Sequence, residues 1–517
     1  MADLAASHDI RASACQPKQA GHVETTVPPG DFERISSLRT IVTKLRCKFD
    51  PCDEQGLARR NAILAFAVRV ASAALLYLMQ IMLARWMGTF EYGIYVFVWT
   101  WVLVLGGLSP LGLQMIAIRL VPEYGETGQR NLLQRFLVGS RWFAFGVGSA
   151  IALIGLAGLW LFEDAVTTVY ILPLYLGLIC IPIFAVGEIQ DGLGRGYAWM
   201  GLALVPPYVL RPAIIILGML AALLLGAPMT AATATVAAIV ATWSTALLQM
   251  LMLNRRIHRG HDAANCVTTD DHVATAGVSD GMSQQSPGSA HCATAQLERW
   301  PHSIRHWLIM SAPIAFITAC DLLLQNADVL IISTMMTPEH VGVYFAAAKT
   351  MSLIMFVHYA VGSAVANRFS ALKARGDEEE LQRFVSVSVA WTFWPSVVAG
   401  GAILALGQPL LSLFGPEFLA GYPVMLILVG GFLVRAAVGP AEFLLNMLGE
   451  QARCALVLGI TAVIHIVALT ILVPMFGLIG AASATSGSLV LASLLQYAVV
   501  RARLGYDIAI WRNLSMT

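Results

Sequence analysis

The chain has 517 residues, of which 57% are hydrophobic and only 12% charged, and its mean hydropathy is +0.71. A soluble domain carries about a quarter charged residues, so a water-covered globule is excluded and an all-α polytopic membrane protein is expected. A net charge of +1 says little about partners; no nucleic-acid surface is expected, and electrostatic arguments rest on where single charges sit.

In chain order, the first sixty residues are polar, without an early apolar run or a cleavage signal. Within them ERISSLRTIVTKLRCKF sets Ile35, Leu38, Ile41, Val42 and Leu45 at helical spacing, with Arg34, Arg39, Lys44, Arg46 and Lys48 mainly on the other sides. That pattern reads either as a basic amphipathic helix on the cytoplasmic membrane surface or as a plain helical leader to the first span. Apolar stretches of about 20 residues cross a bilayer. They fall near 62–84, 92–118, 142–162, 169–188, 202–225 and 229–253, then near 307–335, 342–367, 385–407, 422–446, 453–475 and 479–500. The expectation is about twelve transmembrane helices in two six-helix lobes.

The division is a leader (1–60), an N-lobe (61–253), a tether (254–306), a C-lobe (307–502) and a tail (503–517). The tether is rich in Ala, Ser, Gly, Thr, Asp and Gln and has no periodicity, so a disordered cytoplasmic segment is expected. Three spans carry breaks: VLGGLSPLGL in the second, VPPYVLRP in the fifth and GPAEF in the tenth. Such sites serve as kinks or hinges where neighbours or water satisfy the freed backbone.

Nearly all arginines and lysines between spans fall on the side of the N-terminus, with Arg85 left alone opposite. By the positive-inside rule both termini are then cytoplasmic. The eight cysteines are scattered and are read as free thiols. Neither Cys47 with Cys52 nor His258, His261 and Cys266 has the second pair that a metal site wants. No metal or cofactor is expected.

The chain repeats itself. MGTFEYGIYVF near 87 returns as MMTPEHVGVYF near 335, with Glu91 and Glu339 248 apart and Gly93 and Gly342 249 apart. LQRF occurs at 133–136 and again at 381–384, and Leu-Gly at 193–194 and 448–449. Collinear matches at a nearly constant offset mark an internal duplication. A unit of six spans returns to its own side, so the copies are parallel repeats with a substrate path expected between them.

These residues resemble the oligosaccharide flippases of the multidrug/oligosaccharidyl-lipid/polysaccharide exporter superfamily. The likeness lies in ARWMGTFEYGIYVF, in IRLVPEYGETGQRNLLQRF and in QNADVLIISTMMTPEHVGVYFAAAKT. That family ends its first span in a G-x-x-E-Y-G-x-Y turn, here Gly88, Glu91, Tyr92, Gly93 and Tyr95. Its seventh span carries an aspartate before its own turn, here Asp328 before Glu339, Gly342 and Tyr344. The resemblance implies flipping of a polyprenyl-pyrophosphate-linked sugar unit from the inner to the outer leaflet. It implies surface polysaccharide synthesis, of lipopolysaccharide or exopolysaccharide, in a bacterial inner membrane. A polymerase and glycosyltransferases of the same pathway would be partners.

Ionisable residues at mid-membrane cost about 2.5–3.5 kcal/mol each on insertion scales, so those present face a cavity or a partner. Arg69, Arg211, Lys349 and Arg435 are the candidate substrate-binding set, a cationic cavity able to neutralise pyrophosphate. Asp321 and Asp328 lie two helical turns apart on one face, and subtracting 248 from Asp328 lands on polar Gln80. With Asn326 they are the candidates for binding a coupling proton or sodium ion. Arg119 and Arg368 close the span after each echoed turn and stand at the cytoplasmic mouth, where snorkelling anchors are common. The alternative for each is structural: Arg69 paired with Asp321 or Asp328, and Arg435 with Glu442.

No G-x-x-x-x-G-K-[ST] is present, so P-loop hydrolysis is not expected. A drug or cation exporter of the same superfamily would want a more acidic or aromatic cavity. A membrane glycan polymerase or ligase would want a sizeable external loop, and a scaffold would tolerate loss of the buried charges.

Overall fold

The computed structural model describes residues 54–165, 167–275 and 300–510, and every regular element among them is helical. The leader's amphipathic stretch lies outside the described residues. The N-lobe holds α1 (Glu54–Leu108), α2 (Leu113–Glu126), α3 (Arg130–Leu161), α4 (Thr168–Gly196), α5 (Met200–Val205), α6 (Arg211–Leu224) and α7 (Ala231–Thr275). The C-lobe holds α8 (Trp300–Met335), α9 (Pro338–Ser352), α10 (Met355–Arg375), α11 (Glu378–Ala405), α12 (Gly407–Phe414), α13 (Tyr422–Val438), α14 (Ala441–Met447) and α15 (Gln451–Leu504).

Among the described residues nine helical segments are long and apolar enough to cross a membrane, and a pair bent by 40° after Ser352 adds a tenth. Two of the nine are 57 and 54 residues long. At 1.5 Å per residue each would run roughly 80 Å, far beyond the ~30 Å of a hydrocarbon core. Each folds back on itself at a glycine. At Gly88 (φ 76, ψ 175) α1 reverses. As a result Tyr92 Oη donates to Gln80 Oε1 at 3.0 Å, where straight helix would hold the two residues about 18 Å apart. At Gly477 (φ 59, ψ −134) α15 reverses, and a Cβ built on Gly480 would stand 2.0 Å from the Leu472 carbonyl oxygen. Counting each reversal as a second pass gives twelve spans.

The three expected breaks are present. Leu111 (φ 48) and Gly112 (φ 79) separate α1 from α2. A π-helical turn, Pro206–Leu210, joins α5 to α6, because two consecutive prolines withhold the amides that regular α-helix would use. Gly439 (φ 71) and Pro440 part α13 from α14.

The echoed turns meet each other. A Cβ on Gly93 would lie 1.8 Å from the Pro338 oxygen and 3.2 Å from the Gly342 nitrogen. A Cβ on Gly342 would lie 2.9 Å from the Thr89 oxygen and 3.4 Å from the Gly93 nitrogen. Thr89 and Pro338 differ by 249, the same offset as the two glycines, so the contact is its own image under the internal repeat. The glycines recur because the pseudo-two-fold passes between them and leaves no room for a side chain. Around them Tyr92, Tyr344, Phe414 and Phe418 are buried in one cluster fed by both lobes. Thr89 Oγ1 also donates to Glu417 Oε2 at 2.8 Å, and Arg85 caps the end of α12 through the Leu413 and Ser412 carbonyls at 2.6 and 2.9 Å. Glu91 accepts the Ala231 amide at 2.7 Å, closing the N-terminus of α7.

At the far end α8 leans on the N-lobe. A Cβ on Gly112 would lie 2.9 Å from both the Ser311 oxygen and the Ala315 nitrogen, and Trp307 Nε1 donates to Tyr124 Oη at 3.2 Å. The segment read as a tether over 254–306 is helical at both ends, since α7 continues to Thr275 and α8 starts at Trp300. A helix already nucleated by a membrane span extends at little cost, and polar composition does not stop it. Residues 276–299 and 511–517 lie outside the described residues.

Candidate functional site

Most of the buried charges gather in three centres, and in each of them a cation lies beside a carboxylate. In the N-lobe, the last turns of α4 carry Glu188, Asp191 and Arg195 on one face. Arg195 clamps Asp191 with both arms of its fork, Nε to Oδ1 at 3.1 Å and Nη2 to Oδ2. Arg211 leaves the π-helical turn and lays its guanidinium 5.0 Å from the Phe184 ring centroid and 5.8 Å from that of Trp99. Its electrostatic neighbours are Glu188, Tyr208, Tyr95 and Cys180.

In the C-lobe, Arg435 in the last turn of α13 reaches across the Gly439 break to Glu442 in the first turn of α14, Nη2 to Oε2 at 3.1 Å. Asp321 of α8 shares this centre with both. His358 of α10 lies beside Arg435, 4% exposed, with neither ring nitrogen hydrogen-bonded. Glu188 and Glu442 stand 254 apart, within one of the offset of the Leu-Gly that closes the fourth span of each lobe. The repeat thus places a carboxylate in the same span of both lobes, each beside an arginine.

The third centre is nearer the turns. Asp328 accepts the Tyr344 hydroxyl at 2.8 Å, and that hydroxyl is also 3.0 Å from Thr485 Oγ1. Buried His465 of α15 stands close enough to feel the Asp328 charge. Lys349 has Asp328 as its acidic neighbour and holds its ammonium 5.0 Å from the Phe345 ring centroid. Lys349 itself is exposed. In the N-lobe the corresponding polar position, Gln80, takes its hydrogen bond from Tyr92.

Of the residues singled out from sequence, the structure brings Asp321 together with Arg435, and Asp328 together with Lys349. Asp321 and Asp328 serve different centres. Asn326 donates to the Leu322 carbonyl of its own helix at 2.9 Å. The side chain of Arg69 falls outside the described residues. Arg119 pairs with Glu123 at 3.6 Å, and Arg368 with Glu380 at 3.4 Å over the Phe384 ring, all with exposed side chains. Sequence reasoning missed Asp191, because the fourth span was drawn to stop at 188 while α4 runs to Gly196, and it passed over Glu188 at that span's last position and Tyr208 within the VPPYVLRP break. The signal was there: GEIQDGLGR sets Glu188, Asp191 and Arg195 at i, i+3 and i+7. Among the described side chains Arg195, Arg211, Lys349 and Arg435 stand against Glu188, Asp191, Asp321, Asp328 and Glu442. These three centres hold paired charges with one more acid than base, and Arg141 of α3, buried outside them, evens the count.

Two six-span lobes related by a parallel repeat, with charged residues at broken helices, define a polytopic membrane protein. Residues 58–373, more than half of the chain, match the family described as polysaccharide biosynthesis protein, and the chain belongs to that family. A curated relative from Haloferax volcanii, the probable low-salt glycan biosynthesis flippase Agl15, is 28% identical over 163 residues. That match takes in 31% of this chain and about a third (34%) of the relative's length. Among solved structures, the inward-facing conformation of a multidrug resistance MATE family transporter of the MOP superfamily superposes with a TM-score of 0.62 at 13% identity. It covers 85% of this chain and 98% of that one. The lipid II flippase MurJ, in an inward closed conformation, superposes with a TM-score of 0.59 at 15% identity, covering 85% and 87%. The protein therefore has the fold of MOP-superfamily transporters.

Proposed function

We propose that this protein flips polyprenyl-pyrophosphate-linked oligosaccharide units across the bilayer for surface polysaccharide synthesis. The observation that carries the reading is the set of arginine–carboxylate pairs beside helix breaks in both lobes of a chain from a polysaccharide biosynthesis family. A pyrophosphate that displaces Glu442 from Arg435 exchanges one charge-assisted partner for another and leaves a free carboxylate to be neutralised or solvated, and at Arg211 it would supply a direct partner beside the nearby Glu188. Loading is then coupled to the broken helices, which are the parts able to move. Arg69 and Lys349 complete the set we assign to substrate. The turn end, where the lobes touch backbone to backbone, acts as the closed outer gate, both termini are cytoplasmic, and the lobes rock about the charged centres.

Asp328, with Asp321 and Asn326, is our candidate for coupling to a proton or sodium gradient. Asp328→Asn should abolish gradient dependence, and unchanged dependence at normal protein levels removes the idea. A polymerase and glycosyltransferases acting on the same lipid are the expected partners.

The test is glycolipid accounting in depleted cells. A polyprenyl-pyrophosphate oligosaccharide should build up on the cytoplasmic leaflet while surface polymer falls, with rescue by wild type and not by Arg211→Ala. The carboxylate and aromatic rings around Arg211, Glu188 with Trp99 and Phe184, favour one second reading, export of cationic compounds. Sensitivity to such compounds without lipid accumulation would establish it and overturn the flippase assignment.

A further inference from the structure

A fourth group of arginines lies outside these centres, where α7 leaves the membrane. Arg255, Arg256 and Arg259 line a cleft of about 490 Å³ with Met252 and, from α5, Leu202, a size that suits a small ligand. Met252, Arg255, Arg256 and Arg259 follow the i, i+3, i+4, i+7 pattern of one helix face. No acidic partner for the three arginines is present among the described residues. Arg256 stacks over Trp199 at 4.7 Å from the ring centroid, and Trp199 stacks in turn on Tyr197 at 4.6 Å. Behind them Arg141, an electrostatic neighbour of Tyr197, gives one guanidinium nitrogen to Asn254 at 2.8 Å and leaves Nε and Nη2 buried without partners.

The same face of α7 continues toward the membrane interior as Leu248, Leu251 and Met252, which are 41%, 51% and 45% exposed. It is thus an uncovered apolar strip of little more than one turn that ends in three unpaired cations beside an aromatic pair. Free phosphate would use the cations and ignore the strip. A lipid uses both, with its acyl chain along the leucines and its head group in the cleft.

We infer that this face of the N-lobe is a binding site for a lipid with a phosphate-bearing anionic head group. The site is separate from the transport path and independent of what the protein carries. Planar guanidinium groups pair with phosphate oxygens in two-point fashion, and each basic residue at such a surface strengthens binding to anionic lipid.

The test is native mass spectrometry of the full-length protein titrated with phosphatidylglycerol, with phosphatidylcholine and inorganic pyrophosphate as separate arms. Wild type should bind phosphatidylglycerol in preference to phosphatidylcholine. The R255Q/R256Q/R259Q variant should lose affinity by on the order of 100-fold while keeping its melting temperature. Leu251→Glu, which leaves the arginines in place and obstructs the strip, should weaken phosphatidylglycerol binding as well, and it serves in place of the triple variant if that does not fold. Equal binding of the two lipids, or binding unchanged in these variants, overturns the proposal. Pyrophosphate binding that survives Leu251→Glu, with no tight lipid binding, overturns the lipid assignment in favour of free phosphate.

Discussion

Replacing Gly93 with alanine tests the idea that the two echoed turns form a gate. The new Cβ would sit 1.8 Å from the Pro338 oxygen, where ordinary contact begins at 3.4 Å, so the turns must separate by about 1.6 Å (3.4 minus 1.8) along that line. The atom in the way is backbone, which cannot rotate aside as a side chain would. Overpacking of this kind costs about 1–3 kcal/mol, and a state in which the turns are apart carries none of that cost. The equilibrium should therefore move about 5- to 150-fold toward the open turn. Val341, fully buried in the cluster around the contact, reports the change. In a background lacking the eight native cysteines, Val341→Cys should react with a membrane-impermeant maleimide faster by that factor once Gly93→Ala is added. Gly342→Ala should act in the same direction but less, because its Cβ meets the Thr89 oxygen at 2.9 Å and needs only about 0.5 Å (3.4 minus 2.9) of movement. Unchanged labelling in both variants, or the opposite order, would refute the gate.

Three further outcomes follow from the same geometry. Glu442→Ala should lower thermal stability more than the Arg435→Ala/Glu442→Ala double variant, because a half-buried guanidinium that has lost its hydrogen-bonded carboxylate and keeps only the more distant Asp321 is worse than none; additive losses would show that the pair is not coupled. Tyr344→Phe should cost more than Tyr92→Phe, about 1.5–3 against 0.5–1.5 kcal/mol, since Asp328 is a charged acceptor and Gln80 a neutral one; equal melting shifts would contradict this. Arg119→Ala should change stability by less than about 1 kcal/mol, because its pair with Glu123 is solvent-exposed, and a larger drop in thermal unfolding would mean that Arg119 has another role.

The spans, the breaks and the duplication were legible in the sequence because each depends on neighbours in the chain. Apolar length needs only a run of residues, and the Pro206–Pro207 and Gly439–Pro440 breaks follow from a missing amide or a positive φ. Arg435 with Glu442 was readable for the same reason, seven residues apart across one break. The setting of Arg211 was not, because Glu188, Phe184 and Trp99 come from other helices and no local pattern records which rings or carboxylates will face it. Sequence also offered the cations as a bare set, since one-dimensional spacing counts charges without showing which carboxylate lies within reach. The recurrence of Gly93 and Gly342 was plain on the page as a repeat. Only the tertiary structure showed that the two glycines touch, because closeness at a symmetry axis belongs to the packed pair of lobes and to neither turn alone.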